Sequence, residues 1–405
     1  MSTITRVAVN GTDLPDTQVV YALRIAHGRS TITDGPAAST CELVLTGDPL
    51  PAVQLSDLLE IDAYSLPRFT GVVSDLRPAQ DLATGRQLLE VTATGPLADL
   101  ALDPITTDTW PQESSQDRAA RILTTVGVDD YWASGTMEVL ASDGQYSTAL
   151  ELLNTLATDT GAAVFDTPNG LIVFQDIHGR RQRYIPDTWA TMTGTWADQS
   201  GTWAEQSSPA VNEPVTIPAN VIAWQPSLEQ HRGDIVNLVA VEYGSPKAVV
   251  VEQDTTSQTK HKVRAASITT NLALEADATT RAEQIITRLA LPRYQLGNVS
   301  VLVHDADSTL RTQLMNMICG DRVIIAGLPA AYPVTDWLGV LEGWAETYSV
   351  DEFGNEYHML GLALSDPRAS FAALKWQDVT DTLTWADIPA NRIWADITSN
   401  ELLSA

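Results

Sequence analysis

The chain has 405 residues, 44% of them hydrophobic, with 51 acidic and 24 basic side chains and a formal net charge of −27. This length exceeds one ordinary hydrophobic core and implies two to four domains, and the charge argues against a protein built to grip nucleic acid, whose surface would carry the opposite sign. No apolar run is long enough to span a bilayer and no charged-then-apolar leader follows Met1, so folding in a cytoplasm is expected, while Cys41 and Cys319 stand outside any C-x-x-C unit and read as free thiols.

In chain order the pattern is mostly that of strands. "LLEVTAT" alternates Leu89, Val91 and Ala93 on one face with Glu90, Thr92 and Thr94 on the other. "SSQDRAARILTTVG" spaces Ala119, Ile122, Leu123 and Val126 for one helical face and stops at Gly127. "STALELLNTLATDTG" predicts a second helix with Thr148 and Glu151 as a capping box and Leu152, Leu153, Leu156 and Ala157 as its stripe. "AAVFDTPNGLIVFQD" predicts a hairpin turning at Pro168-Asn169-Gly170. A third helix is predicted from about 278 to 291, with a Thr280/Glu283 box, an apolar face of Ala282, Ile285, Ile286 and Leu289, and Pro292 at its end. "VSVLVH" then reads as a strand with Val299, Val301 and Val303 together, and "STLRTQLMNMICG" as a short fourth helix.

Proline- and glycine-rich stretches at Pro104–Pro111, Ser207–Pro218 and Asp366–Lys375 divide the chain. The expected units are 1–105, a first β domain; 106–185, an inserted α+β module; 186–214, a low-complexity insert; 215–370, a second β domain with helices; and 371–405, a tail. Residues 57–96 and 320–367 echo each other: Gly71-Val72-Val73 answers Gly339-Val340-Leu341, and Gly85 answers Gly354. Either two antiparallel meanders look alike by chance, or a small β-barrel is duplicated. In the second case three chains present six similar units, which lets a three-fold object mate with a six-fold tube.

At these residues the sequence resembles the tail-hub (baseplate-hub) proteins of long-tailed phages. "FTGVVSDL" with "GRQLLEVTATGPLADL" resembles the family's first barrel, the 147–176 helix and hairpin its inserted module, and "ADATTRAEQIITRLALPRYQLGNVSVLVHDADSTLRTQLMNMICGDRVIIAGLP" its second barrel. The Trp-x-Asp units at the C-terminal end resemble those of minor tail proteins in phages of actinobacteria. The resemblance implies a mainly β fold with two similar tube-type barrels and an inserted α+β module. It also implies a homotrimer that closes the distal end of the tail tube, and partners among the distal tail or tube protein, the tape-measure protein and other minor tail or fibre proteins. The chain would sit at the distal end of the virion tail, assembled in the host cytoplasm. Viral DNA would pass through without specific binding, and the acidic excess would either line that lumen or simply confer solubility.

Two tryptophan arrays stand apart. Trp189, Trp196 and Trp203 recur every seven residues, and Trp376, Trp385 and Trp394 every nine, the latter followed two residues on by Asp378, Asp387 and Asp396. These arrays hold six of the eleven tryptophans, so they call for an explanation. Odd spacing reverses the ring along a straight strand, and Gly, Ser and Thr between the rings disfavour a helix. Each unit reads as a short extended piece and a turn in which the aspartate accepts backbone N–H groups. Such an array could strap onto a neighbouring subunit or tail protein, complete the chain's own core, or stack on sugars.

Catalytic signatures are missing: the sequence has no P-loop, G-x-S-x-G, H-E-x-x-H or C-x-x-C. "HDADS" (His304, Asp305, Asp307) and "SVDEFGNEYH" (Asp351, Glu352, Glu356) read as solvated turns rather than cation loops. The expectation is therefore a structural protein without catalysis, cofactor or metal. The alternatives are a carbohydrate- or receptor-binding tail protein using the tryptophans and, third, a glycan-cleaving enzyme for which no carboxylate pair is singled out.

Overall fold

The computed structural model describes residues 3–366 except 177–213, the short connections 16–21, 32–33, 82–84, 107–108, 143–146, 224–225 and 351–354, and residues 231, 293 and 298. Counting strands of four or more residues, the first part comprises β1 (Ile4–Val9), β2 (Ala22–Gly28), β3 (Thr40–Thr46), β4 (Leu58–Ala63), β5 (Leu66–Gln80) and β6 (Gln87–Thr94). The middle comprises α1 (Ser115–Thr125), β7 (Tyr131–Ser134), α2 (Ala149–Thr160), β8 (Ala163–Asp166) and β9 (Ile172–Gln175). After the undescribed insert come β10 (Val215–Pro218), β11 (Leu238–Tyr243), β12 (Ala248–Gln253), α3 (Thr255–His261), β13 (Ala265–Thr269) and α4 (Glu275–Leu289). The last part is β14 (Val299–Leu302), α5 (Ser308–Met315), β15 (Arg322–Ala326), β16 (Trp337–Val350) and β17 (Glu356–Ser365).

The chain is mainly β. Its largest sheet has twelve strands in the order β10-β15-β16-β2-β3-β6-β5-β4-β1 and the short Thr12–Asp13 strand, with β17 pairing β16 and β14 pairing β17. This corrects the expectation of two small barrels: no sheet closes on itself among the described residues. The reason lies in β16. Its first residues pair with β15, but from Gly343 to Ser349 the same edge pairs with β2, so the two halves run into one open sheet.

Three cores support this sheet. Leu23, Ile25, Leu43, Leu59, Ile61, Phe69 and Val91 fill the first half, and Ile217, Val299, Val301, Leu314, Val323, Ile325 and Leu341 the second. A third core joins α1, α2 and the β8–β9 hairpin to β11 and α4, through Leu153, Ile172 and Phe174 against Val239, Val241 and Ala282. Its residues come from two stretches of sequence separated by the undescribed 177–213.

Local signals explain most elements. Thr148 accepts from the Glu151 N–H and Glu151 reaches back to the Thr148 N–H, so α2 starts with both halves of its capping box, and Gly161 closes it at φ 65°. Gly170 turns the β8–β9 hairpin at φ 82°. The third predicted helix starts earlier than the spacing suggested. α4 begins at Glu275, with Glu275 and Asp277 at its positive end, while Thr280 sits inside it, donating to the Ala276 carbonyl rather than capping.

The echo between the halves extends to atomic detail. The meander β4-β5-β6, flanked by β3, corresponds to β15-β16-β17, flanked by β14. Gly71 pairs with Leu59 and Gly339 with Val323. Each long strand is bulged just after its glycine, between Val73 and Asp75 and between Leu341 and Gly343. The entry turns also agree. The Asp57 carboxylate accepts from the Gln54 N–H at 2.7 Å and that of Asp321 from the Ile318 N–H at 2.8 Å, and the preceding residues, Ser56 (φ 68°) and Gly320 (φ 94°), are both left-handed. Ser56 and Asp57 bond the backbone of Val73 as Gly320 and Asp321 bond that of Leu341. Finally, an aromatic ring two residues before each glycine lies over it. A Cβ on Gly71 would meet the Phe69 ring at 2.7 Å, and one on Gly339 the Trp337 ring at 2.3 Å. Gly71→Ala is therefore expected to cost about 1–3 kcal/mol through overpacking, read as a lower denaturant midpoint.

Candidate functional site: the buried seam between the halves

The β16–β2 ladder brings a charged cluster into the interior. Arg68, next to Phe69 on β5, is 1% exposed in its side chain, and Glu346 on β16 is 0% exposed. The Arg68 Nε donates to Glu346 Oε1 at 3.0 Å and Oε2 at 3.1 Å, its Nη2 donates to Oε1, and its Nη1 donates to the Met315 carbonyl. Glu346 also accepts from Trp344 Nε1 at 2.7 Å and Tyr348 Oη at 2.5 Å, and His358 Nε2 lies 3.4 Å away. The imidazole of His358 is stacked on Tyr348 at 4.1 Å and on Tyr64 at 5.8 Å.

Burial alone would push the Glu346 carboxyl up. The Arg68 charge outweighs it, together with the nearby His358 imidazole and the hydrogen bonds from Arg68, and holds the carboxyl well below its ordinary range. A single buried cation thus meets a single buried anion whose remaining lone pairs are occupied, the condition under which a buried pair is tolerated. Arg68 belongs to the first half; Met315, Glu346 and His358 belong to the second. A second pair, Arg29 Nη2 to Glu342 Oε2 at 2.7 Å, closes the end of the ladder.

A hydrogen-bonded relay ties the α+β module to the same seam. His27 Nε2 donates to the Arg68 carbonyl at 2.7 Å, His27 Nδ1 meets Ser39 Oγ at 2.5 Å, and Ser39 Oγ is bonded to Asp166 on β8. The Ser39 N–H adds a 2.9 Å bond to Asp166. The Ser39 hydroxyl has one proton and can donate it to only one of its two neighbours, Asp166 or His27 Nδ1. Burial pushes His27 down to about 4 and Asp166 up. Gly95 leaves the room: a Cβ there would stand 2.1 Å from Asp166 Oδ2.

None of these groups is aimed at a solute. The seam fixes how two halves and a module sit together. The nine residues predicted to bind partners (Trp189, Trp196, Trp203, Trp376, Trp385, Trp394, Asp378, Asp387 and Asp396) lie outside the described residues. Asp307 caps α5, accepting from the Thr309 and Leu310 N–H groups. Asp351 and Glu352 lie outside the described residues, and Glu356 accepts from the Thr3 N–H at 2.5 Å. Among the described residues no group of three or more His, Cys, Asp or Glu side chains could hold a metal, and no helix is long and apolar enough to cross a membrane. Sequence reasoning missed the seam. Its one legible trace was the period-two run Glu342, Trp344, Glu346, Tyr348, which puts two glutamates in phase with aromatic core residues.

No protein-family model and no curated protein matches the chain. Solved structures do. The tail protein from Neisseria meningitidis MC58 superposes with a TM-score of 0.60 at 14% identity, covering 90% of this chain and 97% of that one. The prophage MuSo2 43 kDa tail protein from Shewanella oneidensis gives 0.58 at 12% identity, covering 90% and 99%. The E. coli c3393 protein, a type VI secretion component described as structurally similar to T4 tail proteins gp27 and gp5, gives 0.51 at 10% identity, covering 90% and 78%. With its duplicated meander, buried seam and α+β module, the chain has the fold of these tail and type VI secretion proteins.

Proposed function

We propose that the chain is a structural subunit of a phage tail, a hub at the distal end of the tube in which three copies present six equivalent β units to a six-fold partner. The observation that carries this reading is the duplication: two meanders that share their glycine, bulge and entry turn are joined across the Arg68–Glu346 seam, as a symmetry-matching adaptor requires. The likeness in fold to phage tail proteins supports the same reading. In it the partners are the tube or distal tail protein, the tape-measure protein and fibre or minor tail proteins. The acidic surface lets DNA leave without adhering, and the chain itself catalyses nothing. The tryptophan arrays, 189–203 and 376–394, are assigned as straps that seat their rings on neighbouring tail proteins.

Light scattering on the purified chain, with negative-stain images of the same peak, tests this. A particle near three times 43.8 kDa with a three-fold ring is expected. A monomer that stays monomeric with tube or distal tail protein present, and whose tryptophan fluorescence shifts on adding host envelope glycan, would replace the hub with a glycan-binding tail protein.

A further inference from the structure

Among the described residues the two halves meet through one ladder, and each half carries a complement of that ladder that no described strand occupies. Within the chain, Gly343–Ser349 of β16 pair with β2, from Gly343↔Gly28 to Ser349↔Ala22. The shared glycine and bulge place Gly343–Tyr348 on Asp75–Gln80 of β5. That stretch pairs with β6 on one edge, from Asp75↔Thr92 to Gln80↔Gln87. On its other edge β4 ends at Leu58↔Val72, and among the described residues no strand continues the pairing past Val73.

The counterpart of β2 also exists in the second half. β2 runs antiparallel to β3, and β14 is the equivalent of β3, since β3 pairs β6 as β14 pairs β17. Alongside β14 and the residues before it runs an antiparallel segment. Ile222 bridges Val301, the Ala223 N–H donates to the Ser300 carbonyl at 2.8 Å, and the Gly297 N–H donates to the Ser227 carbonyl at 2.8 Å. Leu228 and Glu229 then pair with Leu296 and Gln295. The outer edge of β2 holds β16. Among the described residues the outer edge of this counterpart holds no strand, and the Tyr332 hydroxyl donates to the Pro226 carbonyl at 2.6 Å.

We infer that a second copy of the chain docks here: its Ser227–Gln230 edge pairs antiparallel with Asp75–Pro78, repeating between chains the ladder that joins the halves within one. The inference rests on the hub reading and names the surfaces through which that hub forms. Each chain carries one such edge of each kind, so the contact is head-to-tail and either closes into a ring or runs on as a filament. Because the same ladder would occur within and between chains, all unit-to-unit steps become alike, and three chains give six equivalent steps. Pro78 marks the difference between the two junctions. A proline inside a ladder keeps its nitrogen on the open edge, so the junction between chains lacks one donor that the internal junction has. A weaker external ladder keeps the edge from pairing indiscriminately before assembly.

Carrying the register of the internal ladder across places Asp75 opposite Gln230 of the neighbouring copy, both exposed. The test is the full chain carrying Asp75→Cys and Gln230→Cys, treated with a short bismaleimide while its mass is followed by light scattering. The expected result is a covalent series that stops at three chains. An equimolar mixture of the two single variants should give covalent dimers, and either alone none. Three-fold particles that yield no covalent product would overturn the docking edge and leave the hub standing. A covalent series running past three would uphold the edge and overturn the three-fold ring. Failure to crosslink in every assembled state, filament or ring, overturns the inference.

Discussion

Glu346→Ala is expected to destabilise the chain by about 3–5 kcal/mol, the largest effect of any single substitution at the seam. Removing one member of a buried ion pair leaves the other charge uncompensated in a medium that cannot solvate it. Here the orphan would be the Arg68 guanidinium, whose side chain is 1% exposed. The same change strips Trp344 Nε1 and Tyr348 Oη of their acceptor, and buried donors left unmade add about 1–3 kcal/mol each in the worst case. Chemical denaturation of the purified chain reads the loss directly as a lower midpoint. The double variant Arg68→Met with Glu346→Leu separates charge from packing. Without either charge the desolvation cost disappears, so it should recover a substantial part of the loss. It should not recover all of it, because the Trp344 and Tyr348 donors and the Met315 carbonyl stay unpartnered. A double variant as unstable as Glu346→Ala would mean that the seam is held by shape and ladder, with the ion pair incidental.

The local elements were legible and the joining of the halves was not. Thr148 and Glu151 announce α2 because a capping box is a property of four consecutive residues, and Leu89, Val91 and Ala93 announce β6 because burial on one face of a strand has period two. The Gly71/Gly339 echo was legible for the same reason, each copy being a contiguous meander. What no window contains is the edge on which a long strand finds its next neighbour. β16 and β2 are separated by most of the chain, and their pairing turns two expected barrels into one open sheet. Arg68 and Glu346 stand 278 residues apart, so neither announces the other. The start of α4 was misplaced because Thr280 and Glu283 satisfy the capping pattern by type, while the acidic residues at 275 and 277 set the actual first turn.

Within the pH dependence of stability between about 4 and 6.5, His27 and Asp159 should contribute two opposed linkages, and two variants should separate them. His27 falls from 6.5 to about 4 in the folded chain, chiefly because burial disfavours the imidazolium. A lowered base binds fewer protons folded than unfolded. It therefore stabilises above pH 6.5, and that contribution is lost as the pH falls toward 4, by about 3 kcal/mol at the ~1.4 kcal/mol per unit that linkage sets. Asp159 moves the other way, raised from 3.8 to about 6 by burial beneath its 2.9 Å bond from Asn271 Nδ2. The folded chain holds that proton more tightly. Its contribution is present below 3.8 and is lost, by a similar amount of about 3 kcal/mol, as the pH rises through 6. His27→Gln, which keeps a donor for the Arg68 carbonyl, removes the first linkage, so wild type should lose stability relative to it as the solution is acidified. Asp159→Asn removes the second, so wild type should lose stability relative to it as the pH rises. Urea midpoints at pH 4.5, 5.5 and 7 for the three proteins are sufficient. A wild type that instead loses stability relative to His27→Gln as the pH rises through 6.5 would show that the imidazole keeps its proton when folded. Its Nδ1–H would then donate to Ser39 Oγ, which donates in turn to a charged Asp166 at the joint between the module and the first half.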